Sequence, residues 1–283
     1  FLMEIFYVNG SFRNKNKANI SVQDRGFNFS DGVYELISFK ERKIILFERH
    51  LDRLKLSLIS LGIKQPFTNY LTFRIIIDKL INLNNLENGY IYVQITRGSA
   101  KRNHIFTDNL KQNVVLFLIP ERNIENIKNG VKVITSKDIR WGRCDIKSIS
   151  LLPNILSKQK AHLSGLYETW QIKDKFVTEG TTSNAFIVDK EDNIRTHPKS
   201  PNILGGVTRE IVISLAKKCK YKVIEKPFDM NDISKCNEAF LTSTTVRILP
   251  VLKIDDFEIN NSKIGKITQN LMNKINDYIK END

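Results

Sequence analysis

Hydrophobic and polar positions recur along this chain with periods that predict most of its elements. Residues 4–12, EIFYVNGSF, read as two short strands about an Asn9-Gly10 turn. Residues 32–47, GVYELISFKERKIILF, read as two more strands about a charged turn. In RHLDRLKLSLISLG, Leu51, Leu54, Leu58 and Leu61 recur at helical spacing, and Gly62 stops the run. TNYLTFRIIIDKLINLNN, from Thr68, is a second amphipathic helix, and GYIYVQITRG and NVVLFLIP are strands. Residues 120–130, PERNIENIKNG, begin with Pro120, end with Gly130 and are polar between, as a linker would be. A strand at 131–135 follows. RWGRCDIKSIS (140–150) has the look of a strand crowded with charges, and a helix spans about 151–164, ending at Gly165. YETWQI, FVTEG, NAFIVD and NIRTHP are strands, and TREIVISLAKKC is a helix opening just after Gly205-Gly206. YKVIEK and EAFLTS are strands, and a last helix runs from about 263 to 280. The expectation is α+β in two domains, 1–119 and 131–283, the second richer in strands.

Composition adds limits rather than a function. With 283 residues, 41% hydrophobic and 27% charged, the chain is an ordinary globular sequence with room for two cores. No apolar run approaches the roughly 20 residues needed to span a bilayer, so no membrane partner is expected. No stretch reads as a signal peptide, Met3 reads as the native start, and the expected location is the cytoplasm. Cys144, Cys219 and Cys236 share no metal-binding spacing, which fits free thiols and no metal site. The net charge is +13, yet Lys and Arg are interleaved with Asp and Glu, without a basic tail or a base-stacking motif. Nucleic acid is therefore not an expected partner.

Six places carry candidate chemistry, each with a plainer alternative. Lys147, next to Ile146, could reach inward, where burial readily neutralises an amine and suits it to Schiff-base chemistry. The alternative, favoured by the local residues alone, is a lysine snorkelling at the surface. Glu179, at the end of FVTEG, could face a site with Thr181, Thr182 and Ser183 supplying hydrogen bonds, or mark a polar turn with Gly180 at positive φ. Residues 203–212, ILGGVTREIV, could form a phosphate cup, since the first N–H groups of a helix lack partners within it, or a tight loop. Arg102 and His104 lie two apart and would point the same way in an extended loop, either gripping a carboxylate or standing exposed. Tyr34 could offer its phenol or be half-buried packing, and Arg53 could serve a site or be solvated.

Taken together and in order, DGVYE, HLDRL, TRGSAKRNH, RWGRCDIKS, VTEGTTSN, LGGVTRE and TSTT resemble the class IV pyridoxal-phosphate aminotransferases, most of all their D-amino acid branch, over essentially the whole chain. The resemblance implies the two-domain fold-type IV architecture, with a smaller N-terminal α/β domain and a larger strand-rich C-terminal domain. It implies Lys147 as the Schiff-base lysine and proton shuttle, and Glu179 as the carboxylate paired with the pyridine nitrogen. Arg53, Val207, Thr208 and Thr244 match the phosphate-binding set, and Leu204 would pack on the cofactor ring. Tyr34, Arg102 and His104 resemble the trap for the substrate α-carboxylate, the last two reaching in from the neighbouring subunit of a homodimer. The implied reaction is ping-pong conversion of D-alanine and 2-oxoglutarate to pyruvate and D-glutamate. A branched-chain L-amino acid aminotransferase or an aminodeoxychorismate lyase of the same fold is the alternative, against which the Arg102/His104 pair argues. The chain departs from the pattern at Gly142 and Arg247.

Overall fold

The computed structural model describes residues 4–67, 69–121, 123, 125 and 127–281. Met3, the first residue of the second predicted helix, Thr68, and residues 122, 124 and 126 of the predicted linker lie outside the described residues. The chain divides into two compact units. The first holds residues 4–121 together with Ile146–Ser150; the second holds Asn123–Asp145 and Leu151–Glu281.

In the first unit the expected strands form one antiparallel sheet. They are β1 (Ile5–Val8), β2 (Ser11–Asn14), β3 (Gly32–Lys40), β4 (Lys43–Ile44), β5 (Gly89–Thr96) and β6 (Asn113–Pro120), in spatial order β2-β1-β6-β5-β3-β4. Asn9 and Gly10 both take positive φ, the conformation that a two-residue hairpin turn needs to match strand twist. A short helix that the periodicity did not reveal, α1 (Arg25–Phe29), is capped by Asp24, whose side chain accepts from Phe27 N. Helices α2 (Phe47–Ser60) and α3 (Tyr70–Asn84) follow the expected spacing. Their apolar faces supply Leu51, Leu54, Leu58, Phe73, Ile77, Leu80 and Ile81 to a core with Ile37, Ile91, Val93 and Ile95 of the sheet.

The segment 140–150 is not a strand. Ser148 alone makes an isolated bridge, to Val33. Flanking it, Lys147 O accepts from Tyr34 N at 3.0 Å, and Ile149 N donates to Gly32 O at 3.1 Å. The reason is the edge it meets. β4 pairs only with Phe39 and Lys40, which leaves the first residues of β3 unpaired on that side. Ile146–Ser150 satisfies those residues over a few positions, with Ile146 buried in the first core.

The second unit is built on a mixed sheet. Its strands are β7 (Val131–Lys137), β8 (Glu168–Lys173), β9 (Phe176–Gly180), β10 (Asn184–Val188), β11 (Ile194–Thr196), β12 (Val223–Glu225), β13 (Glu238–Ser243), β14 (Arg247–Ile254) and β15 (Phe257–Glu258). The order is β12-β11-β10-β13-β14-β7-β8-β9, with β15 beside β14; the β11–β12, β14–β7 and β7–β8 pairs are parallel. β14 lacks a clean strand pattern because Pro250 interrupts it and a register shift separates Val251 from Lys253. The helices are α4 (Leu152–Leu163), α5 (Val207–Lys218), the short α6 (Met230–Ile233) and α7 (Lys266–Glu281). Pro153 falls in the first turn of α4, where no helical N–H is lost. α7 starts three residues later than its periodicity suggests, after a short turn at Asn260–Ser262. Among the described residues no helix is long and apolar enough to cross a membrane.

Candidate functional site

In the first unit, Lys147 and Tyr34 come together. The Lys147 Nζ lies 4.2 Å from the centroid of the Tyr34 ring, and its own N–H donates to Ser57 Oγ at 3.2 Å. Among the described residues no carboxylate pairs with this amine, although the chain is rich in carboxylates. Lys147 is half-buried, so the expected snorkelling lysine is only part of the picture.

Arg53 is not solvated. Its Nε donates to Glu35 Oε2 at 3.0 Å and its Nη2 to Glu35 Oε1 at 2.6 Å, a two-point fork that fixes the guanidinium plane. Glu35 is fully buried, and His50 Nδ1 lies 3.1 Å from its Oε1. Burial alone would raise the Glu35 carboxyl, but the Arg53 charge and the His50 hydrogen bond outweigh it and hold it far below the usual range. Burial holds His50 below its ordinary pKa, so a neutral ring donates Nδ1–H to Glu35. Neither Glu35 nor His50 was singled out from sequence. A signal existed: Glu35 occupies the inward register of β3, alternating with Val33, Ile37 and Phe39.

Arg102 and His104 are exposed in the β5–β6 connection and do share a side. The Arg102 guanidinium lies 5.0 Å from the Phe29 centroid, and the His104 ring 5.4 Å from it.

In the second unit, Glu179 is 5% exposed at the end of β9. Its Oε2 accepts from Leu204 N and from Asn184 Nδ2, both at 3.0 Å, and its Oε1 accepts from Arg140 Nη1. Arg140, one of the charges crowded into RWGRCDIKSIS, gives Asp138 two bonds, from Nε at 2.9 Å and Nη2 at 2.6 Å. One guanidinium thus serves two buried carboxylates. Asp138, held by the larger share, is kept below the usual carboxylate range against the effect of burial. Burial pushes Glu179 up to about 7, against the pull of Arg140. The cluster is short of one positive charge, and Glu179 has lone-pair capacity beyond its three bonds. A ligand cation that donates a hydrogen bond would meet both needs.

The hydroxyls expected to face a ligand are engaged elsewhere. Thr181 Oγ1, Thr182 N and Thr182 Oγ1 reach Glu168 Oε1 at 2.9, 2.8 and 2.7 Å, and Ser183 Oγ donates to Glu168 Oε2. Gly180 is not at positive φ. It is glycine because a Cβ would stand 2.3 Å from Glu168 Oε2. Val207 and Thr208 form the first turn of α5, whose N-cap, Gly206, offers no side-chain cap. The first N–H groups of that helix therefore have no acceptor within it, which suits an anion such as a phosphate. Thr244 lies in the turn between β13 and β14 and shares no hydrogen bond with these residues among those described. Arg247, one of the departures, donates to Asn276 Oδ1 of α7 at 2.5 Å; at Gly142, the other, a Cβ would meet nothing.

The family profile described as "Amino-transferase class IV" matches residues 32–254. A D-alanine aminotransferase of Listeria innocua is 37% identical over 270 residues, covering 94% of this chain and 93% of that protein. A D-alanine aminotransferase of Staphylococcus aureus is 36% identical over 281 residues, covering 98% of each. Among solved structures, the Escherichia coli branched-chain amino acid aminotransferase superposes with a TM-score of 0.90 at 19% identity, over 98% of this chain and 95% of that one. A branched-chain aminotransferase of Thermoproteus uzoniensis gives 0.87 at 23%, over 98% and 95%. At such identities these two likenesses speak to the fold alone.

Proposed function

Because the chain belongs to the class IV aminotransferases, a family of pyridoxal phosphate enzymes, we propose that it moves the amino group of D-alanine to 2-oxoglutarate, giving pyruvate and D-glutamate in two half-reactions. The observation that carries this reading is the buried Glu179, held by Asn184, Leu204 N and an Arg140 guanidinium that it shares with Asp138. Identity of 36–37% over nearly the full length of two D-alanine aminotransferases supports the choice of the D series. The branched-chain likenesses do not oppose it, because they extend only to the fold.

Pyridoxal phosphate, when bound, supplies an electron sink for the pair left on the substrate α-carbon as its proton departs. The residues divide the remaining work. Lys147 Nζ, with which no carboxylate among the described residues pairs, takes the α-proton and returns it. Glu179 would keep the ring nitrogen protonated by offering it a buried negative charge, and Arg140 holds Glu179 in place. Arg53, the first N–H groups of α5 at Val207 and Thr208, and Thr244 would hold the phosphate, and Leu204 would pack on the ring. The Glu35 fork sets the plane in which Arg53 presents its charge. Tyr34, Arg102 and His104 take the substrate α-carboxylate, the latter two from a partner subunit. With the carboxylate held on one side and Lys147 on one face, only one enantiomer directs its α-hydrogen to the amine.

The test is direct. The purified protein should be yellow and should bleach with borohydride, and it should turn over D-alanine with 2-oxoglutarate in preference to L-leucine. L-only turnover would overturn the substrate assignment. Lys147→Ala should abolish multiple turnover while the protein stays folded; near-normal rates would remove Lys147 from its role.

A further inference from the structure

The loop that carries Arg102 and His104 is held by a device of its own. It connects β5 to β6, and residues 101–109 are all exposed. Among the described residues, the hydrogen bonds that reach residues 101–108 from the rest of the unit both come from Arg25: Nη1 to Asn103 O at 2.6 Å and Nη2 to His104 O at 3.3 Å. Arg25 is 5% exposed and Arg97, at the start of the loop, 7%. Their Nε atoms both donate to one oxygen, Asp31 Oδ2, each at 2.8 Å. Arg97 also closes the end of α2, giving Nη2 to Leu61 O at 2.7 Å and Nη1 to Gly62 O at 3.1 Å.

Aromatic faces complete the seat. The Arg97 guanidinium stacks on Phe106 at 3.7 Å from its centroid, and Arg25 lies 4.8 Å from Phe29 and 5.4 Å from Phe106. Arg102 and His104 rest on Phe29. Residues 102, 104 and 106 therefore present one side of the loop to a platform of two guanidinium groups and one phenyl ring. Two cations meeting one carboxylate oxygen is not the cheapest way to end a hairpin, since a buried charge costs stability unless fully bonded. Here every group is engaged, and a satisfied charged network of this kind is stiff. Its output is the backbone position of residues 103 and 104.

We propose that Asp31, acting through Arg25 and Arg97, is a positioning residue that presets the loop bearing Arg102 and His104 for the substrate carboxylate. This rests on the reading of Arg102 and His104 as the carboxylate trap. Presetting spares the binding step the ordering of a long exposed loop, so its effect falls on substrate capture rather than on proton transfer at Lys147.

Two variants of the full protein test it. Asp31→Asn keeps the side-chain size and removes the charge; Phe106→Ala removes the Arg97 stacking partner without touching buried charge, and serves if Asp31→Asn does not fold. Both should speed amide hydrogen exchange in residues 101–107, a readout that needs no turnover. Both should raise KM for D-alanine and for 2-oxoglutarate by about tenfold while kcat changes less. Arg102→Ala should raise KM as well, and adding Asp31→Asn to it should raise KM little further, as for residues acting through one another. Unchanged exchange, fully additive KM effects, or a loss confined to kcat overturns the proposal. Arg102→Ala with wild-type KM overturns the trap reading and the proposal with it; Arg102→Ala with raised KM beside wild-type behaviour of the other two variants overturns the proposal alone.

Discussion

Glu179 ionises near neutrality because its share of a guanidinium is too small for its burial, and that makes it a reporter for the cofactor-free protein. The carboxyl has an ordinary value of 4.5 in the unfolded chain and is pushed up to about 7 in the fold. Below the lower value it is protonated in both states and contributes nothing. Between the two, the unfolded chain releases its proton and the folded one keeps it, so rising pH favours unfolding, by at most about 1.4 kcal/mol per pH unit. Above the upper value the loss is complete and constant. Urea unfolding of cofactor-free wild type and Glu179→Gln, compared at pH 5 and pH 8, should show wild type losing the more stability on going to pH 8. Parallel changes in the two proteins would mean that Glu179 keeps its charge without the ring nitrogen. Arg140 and Glu35 belong at this scale too. Arg140 stands two residues from Asp138 but 39 from Glu179, so no local pattern joins the three. Glu35 was legible in principle, because a carboxylate in the inward register of an apolar strand needs buried partners.

Among elements, helices were the most legible, since α2 and α3 follow from leucine and isoleucine spacing. Strands were legible where alternation is clean and lost where the sheet tolerates a defect, as Pro250 and the register shift do in β14. The stretch 140–150 has the look of a strand but is not one: its second half, Ile146–Ser150, takes its conformation from the unpaired start of β3, far away in sequence, and Cys144 N in its first half donates to Pro201 O. The start of α7 is fixed in the same non-local way. Glu238 of β13 accepts from Ile267 N at 3.0 Å and from Thr268 N and Oγ1 at 2.7 Å, so a strand residue caps a helix 29 positions later. Gly265 must lack a side chain, because a Cβ there would fall 1.8 Å from Glu238 Cδ. Glu238→Ala leaves buried N–H groups unsatisfied at a helix N-terminus and should cost about 2 kcal/mol in urea unfolding. A loss under a few tenths would show that water replaces the carboxylate without penalty.

At the scale of the whole molecule, the proposed chemistry calls on more than one chain. α4 exposes Leu152, Ile155, Leu156 and Leu163, between 55% and 77% accessible, at helical spacing; in the first unit Phe27 is 78% and Ile105 80% exposed. Large apolar side chains left in water in this way fit surfaces that a second copy covers. Ile105 stands directly beside His104, which places apolar exposure and the proposed substrate grip on the same loop. If Arg102 serves the partner's site, two defective chains can repair one another. Lys147→Ala lacks the amine but keeps the loop; Arg102→Ala keeps the amine but lacks the grip. In a mixed dimer one site then carries both defects and the other carries neither. Co-expressed in equal amounts, the two variants should give about half mixed dimers, hence about a quarter of wild-type activity at low substrate, where each variant alone is poor. If Arg102 serves its own chain, every site in every dimer carries one defect or the other, and co-expression restores nothing. The wild-type protein, sized by light scattering, should run as a dimer; a monomer with full activity would remove the partner subunit from the site altogether.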